Sequence, residues 1–236
     1  MKDCIALLLL IICCSCTQTE TKNQSTKELE KKEFKQNTNK RDSVKNDTIE
    51  FISYNDNFDY SQLNGKKGKD EITFVNDNNN DRSFHRGDLI AIEWKNDSIY
   101  IPGDGETPQN AQWIVSAKKI KDGNVSKFRK EYGKEIKYYS SEADQLSDSY
   151  LDHLYQLAEY YIANSDRNLI KLNVKEKKDL AYSVEKRDRE NKQYYVLGIY
   201  TESEHHINTF QWLYIDPEDD KIYEYDLPND RLIYFP

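Results

Sequence analysis

Beyond residue 16 this chain has no cysteine; Cys4, Cys13, Cys14 and Cys16 are all that it contains. A body without thiols has no disulfide, no thiol nucleophile and no thiolate metal site. Its stability must come from its own core. Histidine is scarce, at four residues, so nucleophilic catalysis has few players. G-x-S-x-G, H-E-x-x-H, the P-loop and the dinucleotide fingerprint are all missing. A basic surplus is missing as well: the formal net charge is −8. Acidic chains repel phosphate backbones, so nucleic acid is not an expected partner. No apolar run reaches the roughly 20 residues of a membrane-spanning helix. Paired carboxylates stay open as catalysts, because 42 Asp and Glu are spread along the chain.

What is present begins with MKDCIALLLLIICCSC. Lys2 gives a charged start, residues 5–14 are apolar, and the small Ser15 precedes Cys16. That order describes a secretory leader over residues 1–15. The small residue followed by cysteine resembles the lipobox of bacterial lipoproteins. The resemblance implies cleavage before Cys16, a diacylglyceryl group on its sulfur and acylation of the new amino terminus. Cys14 is a competing site, and Ser15 favours Cys16. Each buried methylene contributes about 0.8 kcal/mol, so two or three chains would hold the protein firmly to a membrane. The expected location is exported, lipid-anchored to the bacterial cell membrane or outer membrane.

Residues 16–48 hold almost no large apolar side chains; Leu29, Phe34 and Val44 stand alone. Such a segment cannot offset its ordering entropy and reads as a flexible tether. About 185 residues are left to fold, enough for one or two compact domains. Residues 49–135 read as a small β-rich region and 136–236 as a helix plus an antiparallel meander; the two could also form one domain. In the first region, EITFV, LIAIEW, SIYI and QWIVSAKKI carry strand patterns, with LIAIEW and SIYI read as a hairpin across KND. In the second, Leu146, Tyr150, Leu154, Leu157 and Tyr161 recur at helical spacing, which predicts one long amphipathic helix over about 141–164, capped by Ser141. LAYSV, YYVLGIY, FQWLYI, IYEY and LIYF then alternate as strands between polar turns. The expected fold class is α+β: antiparallel sheet with that helix packed across the C-terminal meander. A helix followed by long antiparallel strands resembles cystatin-like and NTF2-like domains. The closing run WLYIDPEDDKIYEYD is similar to the final hairpin of small exported bacterial proteins. Neither resemblance implies an activity.

The strongest candidate site is NDNNNDRSFHRGD. Asp77, Asn79, Asp81, the Ser83 carbonyl and Asp88 fall at positions 1, 3, 5, 7 and 12 of a calcium loop, where hard oxygens are required. The run resembles calcium turns of exported bacterial proteins, though Arg82 stands where that pattern has glycine. Calcium is the one cofactor the pattern offers; a solvated Asn/Asp turn is the alternative. ESEHH and DPEDDK are acidic, but their spacing fits turns. Eighteen tyrosines, eight phenylalanines and three tryptophans fill a core or line a binding face. The function expected is therefore a lipid-anchored envelope protein of binding or inhibitory, non-enzymatic role. It would meet the membrane through Cys16 and a protein partner through its folded body. A carboxylate-based envelope hydrolase or glycan-processing enzyme, and a sugar-binding module with coplanar rings, are the alternatives.

Overall fold

The computed structural model describes residues 43–101, 103, 107–140, 145–203 and 206–236. The first half forms a barrel of β1 (Lys45–Asn55), β2 (Gln62–Lys67), β3 (Asp70–Val75), β4 (Leu89–Ile99) and β5 (Gln109–Lys121). Its order is β1-β2-β3-β5-β4, and it is closed. Closure comes from β1 pairing antiparallel with β4, Ile49 opposite Ile90, and from β3 meeting β5 in parallel at Val75 and Trp113. This is the connectivity of the OB barrel, a five-stranded Greek key. Ile49, Phe51, Leu63, Phe74, Ile90, Ile92 and Ile114 fill the interior. Gly65 makes room for Ile49: a Cβ on the glycine would lie 2.3 Å from Ile49 Cδ1, which would have to shift.

A second layer follows: α1 (Asn124–Tyr132), β6 (Lys137–Ser140), α2 (Asp148–Asn164) and α3 (Asn168–Lys175). After these come β7 (Leu180–Arg189), β8 (Lys192–Ser203), β9 (His206–Ile215), β10 (Ile222–Asp226) and β11 (Arg231–Phe235). The sheet order is β11-β10-β9-β8-β7-β6. The helices bury Phe128, Leu154, Leu157, Tyr161 and Ile170 against Tyr182, Val184, Leu197, Ile199 and Leu213. Full burial of each such side chain stabilises by about 1.5–3 kcal/mol. Ser147 caps α2, its Oγ accepting from Tyr150 N at 3.3 Å.

The expected fold class is corrected by this architecture. Its first half is a closed barrel, and among the described residues no single long helix organises the rest. Three helices of 9, 17 and 8 residues share that work. The second sheet is not wholly antiparallel, since β6 runs parallel to β7. LIAIEW and SIYI are not a hairpin: LIAIEW and Ser98–Ile99 of SIYI belong to one strand, β4, whose polar KND stretch pairs with Trp113, Gln112 and Ala111 of β5. The pairing satisfies that backbone, so its polar side chains face outward instead of marking a turn. The N-cap expected at Ser141 lies outside the described residues.

Candidate functional site

A cleft of about 670 Å³ opens between the barrel and the helical layer. Its barrel wall is a rung across three strands: Asn64 Nδ2 donates to Ser53 Oγ at 3.2 Å, and Thr73 Oγ1 donates to Asn64 Oδ1 at 2.8 Å. Ser53, Asn64 and Thr73 are cross-strand neighbours in register, so the pleat turns them to one face. The opposite wall is α2, where His153, Gln156 and Leu157 follow the helix's own spacing.

Two arginine–carboxylate pairs stand in the lining. Arg82 grips Asp56 through Nε at 3.2 Å and Nη2 at 2.8 Å. Arg129 of α1 grips Glu159 of α2 at 2.6 and 2.7 Å. The Arg82 hydrogen bonds hold the Asp56 carboxyl below its ordinary value. Bonding to Glu159 holds the Arg129 guanidinium above its own. Burial pushes the Tyr54 hydroxyl up to about 12. His85 is held below the ordinary imidazole range, first by burial and then by repulsion from Arg129.

His85 and Arg86 of the lining open the tight turn His85–Arg86–Gly87–Asp88. Asp88 N donates to His85 O at 2.9 Å, and Gly87 has φ +90°, as a type II turn requires of its third residue. Phe51 and this turn exchange two backbone bonds, Gly87 N to Phe51 O and Phe51 N to Asp88 O, both 2.8 Å. Asp88 is fully buried and ties the turn to the helical layer. Its Oδ1 accepts from Gly123 N at 2.8 Å. Its Oδ2 accepts from His85 N at 2.9 Å, Ser126 Oγ at 3.0 Å and Lys119 Nζ at 3.1 Å. Burial opposes its charge, but these four donors outweigh burial and keep the carboxyl below its ordinary value. Gly87 and Gly123 touch backbone to backbone, since a Cβ on Gly123 would lie 2.3 Å from Gly87 C.

The five candidate calcium ligands therefore do not form one set. Asp77 Oδ1 accepts from Ser61 N at 3.3 Å, Asn79 Oδ1 from Asp81 N at 2.9 Å and Asp81 Oδ1 from Ser83 N at 2.8 Å. Those bonds shape the loop. Asp88, the ligand needed at position 12, has both oxygens occupied by the junction with α1. Among the described residues no three His, Cys, Asp or Glu are placed to hold a metal. Cys16 lies outside the described residues, as do Glu204 and His205 of ESEHH.

The acidic turn 216–220 is closed by ion pairs, Lys192 with Asp216 at 2.6 Å, Lys221 with Asp219 at 2.5 Å and His153 with Asp220 at 2.8 Å. On the helix-free face of the second sheet the tyrosines meet edge-on. The planes of Tyr194 and Tyr214, and of Tyr223 and Tyr234, differ by 70° and 65°. That arrangement is self-packing and makes no flat stacking platform. Sequence reasoning missed Ser53, Asn64, Thr73, Arg86, Arg129 and Glu159. The legible signal was HRGD, a charged residue displayed beside the glycine of a turn.

Neither the family models nor the curated proteins match this chain. Among solved structures, an aspartyl tRNA synthetase from Entamoeba histolytica is similar at a TM-score of 0.22 and 10% identity over 70% of this chain. The chain spans 48% of that structure's length, and a likeness this slight carries no argument about fold or function.

Proposed function

We propose that this protein is a lipid-anchored envelope protein, held at the membrane through Cys16, that acts by binding a ligand in the cleft between its barrel and α2. The observation that carries the reading is the cleft itself. Its volume of about 670 Å³ falls in the range of small-molecule sites. Its barrel wall is built from β1, β2 and β3, part of the face on which OB barrels take ligands. The lining offers hydroxyl and amide groups from Ser53, Asn64, Thr73 and Gln156, which suits a polar ligand with many hydrogen-bonding atoms.

Binding is favoured over turnover by the state of three of the cleft's carboxylates, Asp56, Glu159 and Asp219. A general acid needs a raised pKa. Asp56 and Asp219 are instead held low, by Arg82 and Lys221 respectively. Glu159 is nearly buried and spanned by both ends of the Arg129 fork. A nucleic-acid ligand is disfavoured by the net charge of −8.

The test has two arms on the full chain expressed in a bacterial host. Alkyne-palmitate labelling should mark the wild type and spare Cys16→Ser; equal labelling would remove the anchor. Native mass spectrometry of protein released from membranes should show a retained small ligand that Gln156→Trp, which fills the cleft, expels. An adduct spectrum indifferent to Gln156→Trp would remove the cleft.

A further inference from the structure

Arg86 differs from the other guanidiniums of the cleft. Arg82 and Arg129 are each neutralised by a carboxylate. Arg86 has no carboxylate and no hydrogen-bond acceptor among the described residues; its contact is the face of Tyr160, 4.0 Å from the ring centroid. The ring is itself held. Tyr160 hydroxyl donates to the Pro236 carbonyl at 3.1 Å, and Phe235 meets the ring edge-on at 6.2 Å.

The backbone beneath Arg86 is equally fixed. The residue sits second in the His85–Asp88 turn, which is pinned to Phe51 on one side and, through Asp88, to Gly123, Ser126 and Lys119 on the other. A long flexible side chain is thus held in place by a stack and a rigid turn, with its five donors unspent. In a chain of net charge −8, and in a cleft lined by five carboxylates, this is the guanidinium that no carboxylate among the described residues pairs.

We infer that Arg86 is the anion-recognising residue of the cleft and that its ligand carries a single carboxylate. The inference rests on the cleft being the binding site. One unneutralised guanidinium matches a monoanion through a two-bond fork. A phosphate, with nearly twice the charge, would face the cleft's carboxylates with too little compensation. The hydroxyl and amide wall opposite gives the rest of the ligand hydrogen-bonding partners. An acidic saccharide and the carboxylate end of a peptide share this chemistry.

The experiment uses the full chain in lipid nanodiscs and two matched pairs of probes. One pair is tri-galacturonate and its methyl ester; the other is acetyl-trialanine with a free carboxylate and with a terminal amide. Titration calorimetry reads affinity, and hydroxyl-radical footprinting at Tyr54 and His153, both in the lining, reads location. In at least one pair the carboxylate form should bind tenfold or more tightly than its neutral counterpart. Arg86→Gln should erase that difference while the melting temperature is kept. Arg86→Lys should retain part of it, and Tyr160→Leu should weaken it. The responding pair distinguishes glycan from peptide. Equal binding of charged and neutral forms with protection in the cleft overturns the role of Arg86 and leaves the cleft standing. Protection only outside the cleft overturns both. No binding by any probe at millimolar concentration overturns the carboxylate inference alone.

Discussion

Replacing Asp88 by Asn tests whether one buried carboxylate joins the barrel to the helical layer. The substitution keeps the shape and removes one acceptor and the charge. Asp88 Oδ2 serves three donors and Oδ1 serves the Gly123 N–H. The amide should therefore place its oxygen at the Oδ2 position. Its NH₂ then confronts Gly123 N–H, leaving an orphaned backbone donor worth about 1–3 kcal/mol. The loss of charge assistance toward Lys119 is partly offset, because that ammonium still has Asp122 at 3.3 Å. Together we expect a loss of about 3 kcal/mol, and at roughly 2–4 °C per kcal/mol a fall in Tm of roughly 6–12 °C. The pH dependence supplies a second reading. The folded pKa of Asp88 is depressed, so its contribution is complete above the unfolded value of about 3.9 and is lost as pH falls through the lower folded value. The gap between wild type and Asp88→Asn should be widest at neutral pH and narrow below about pH 4. Urea unfolding followed by circular dichroism at several pH values measures both. A loss under about 1 kcal/mol, the typical net worth of one ordinary hydrogen bond, or a gap that does not change with pH, would refute the reasoning.

Gly123→Ala should destabilise by about 3 kcal/mol, the upper end of ordinary overpacking, because the new methyl meets Gly87 backbone, which cannot rotate away; a neutral result in thermal melts would show that the two layers part easily. Arg129→Leu leaves the Glu159 carboxylate buried and alone, at about 3–5 kcal/mol. Glu159→Leu should cost far less, since the Arg129 side chain is 43% exposed and can turn to water, and the double Leu variant should recover most of the loss. Equal single losses in a double-mutant cycle would contradict that asymmetry. Calcium at millimolar concentration should leave Tm unchanged, since Asp88 is committed to the α1 junction; a rise in Tm that disappears in Asp77→Ala would restore a calcium site in the loop.

What could be read from the chain follows from which contacts are local. Strands β7 to β10 alternate visibly because one face packs on the helices; Leu180, Tyr182 and Val184 are buried in turn. Strand β2 is nearly invisible. Its inward positions are Leu63 and Gly65, and the glycine stands where alternation would show a hydrophobe because Ile49 occupies that space. Helix α1 buries only Val125, Ser126, Phe128 and Tyr132 of nine residues, too sparse a stripe among its charges to register. Barrel closure rests on Val75 meeting Trp113, a long-range pairing with no local signature. The same limit governed the candidate site. Asp88 was legible as a liganding carboxylate, and the residues that claim it, Gly123 and Ser126, come from α1 and its N-cap, more than thirty residues along the chain.

The turn that carries Arg86 also sets where the cleft lies. Its outer side faces the cleft, and its inner side, through Asp88, is the bond between barrel and helices. A ligand gripping Arg86 would therefore press on the same few residues that hold the two layers in register. Rigidity at this point favours binding: the guanidinium needs no reorganisation, so less affinity is lost to ordering. It also predicts that variants loosening the seam, such as Asp88→Asn, weaken ligand binding without touching the ligand. If Asp88→Asn lowered stability as expected yet left affinity intact, the cleft would owe its shape to the walls alone, Ser53–Asn64–Thr73 and α2, and the turn would be only a hinge between them.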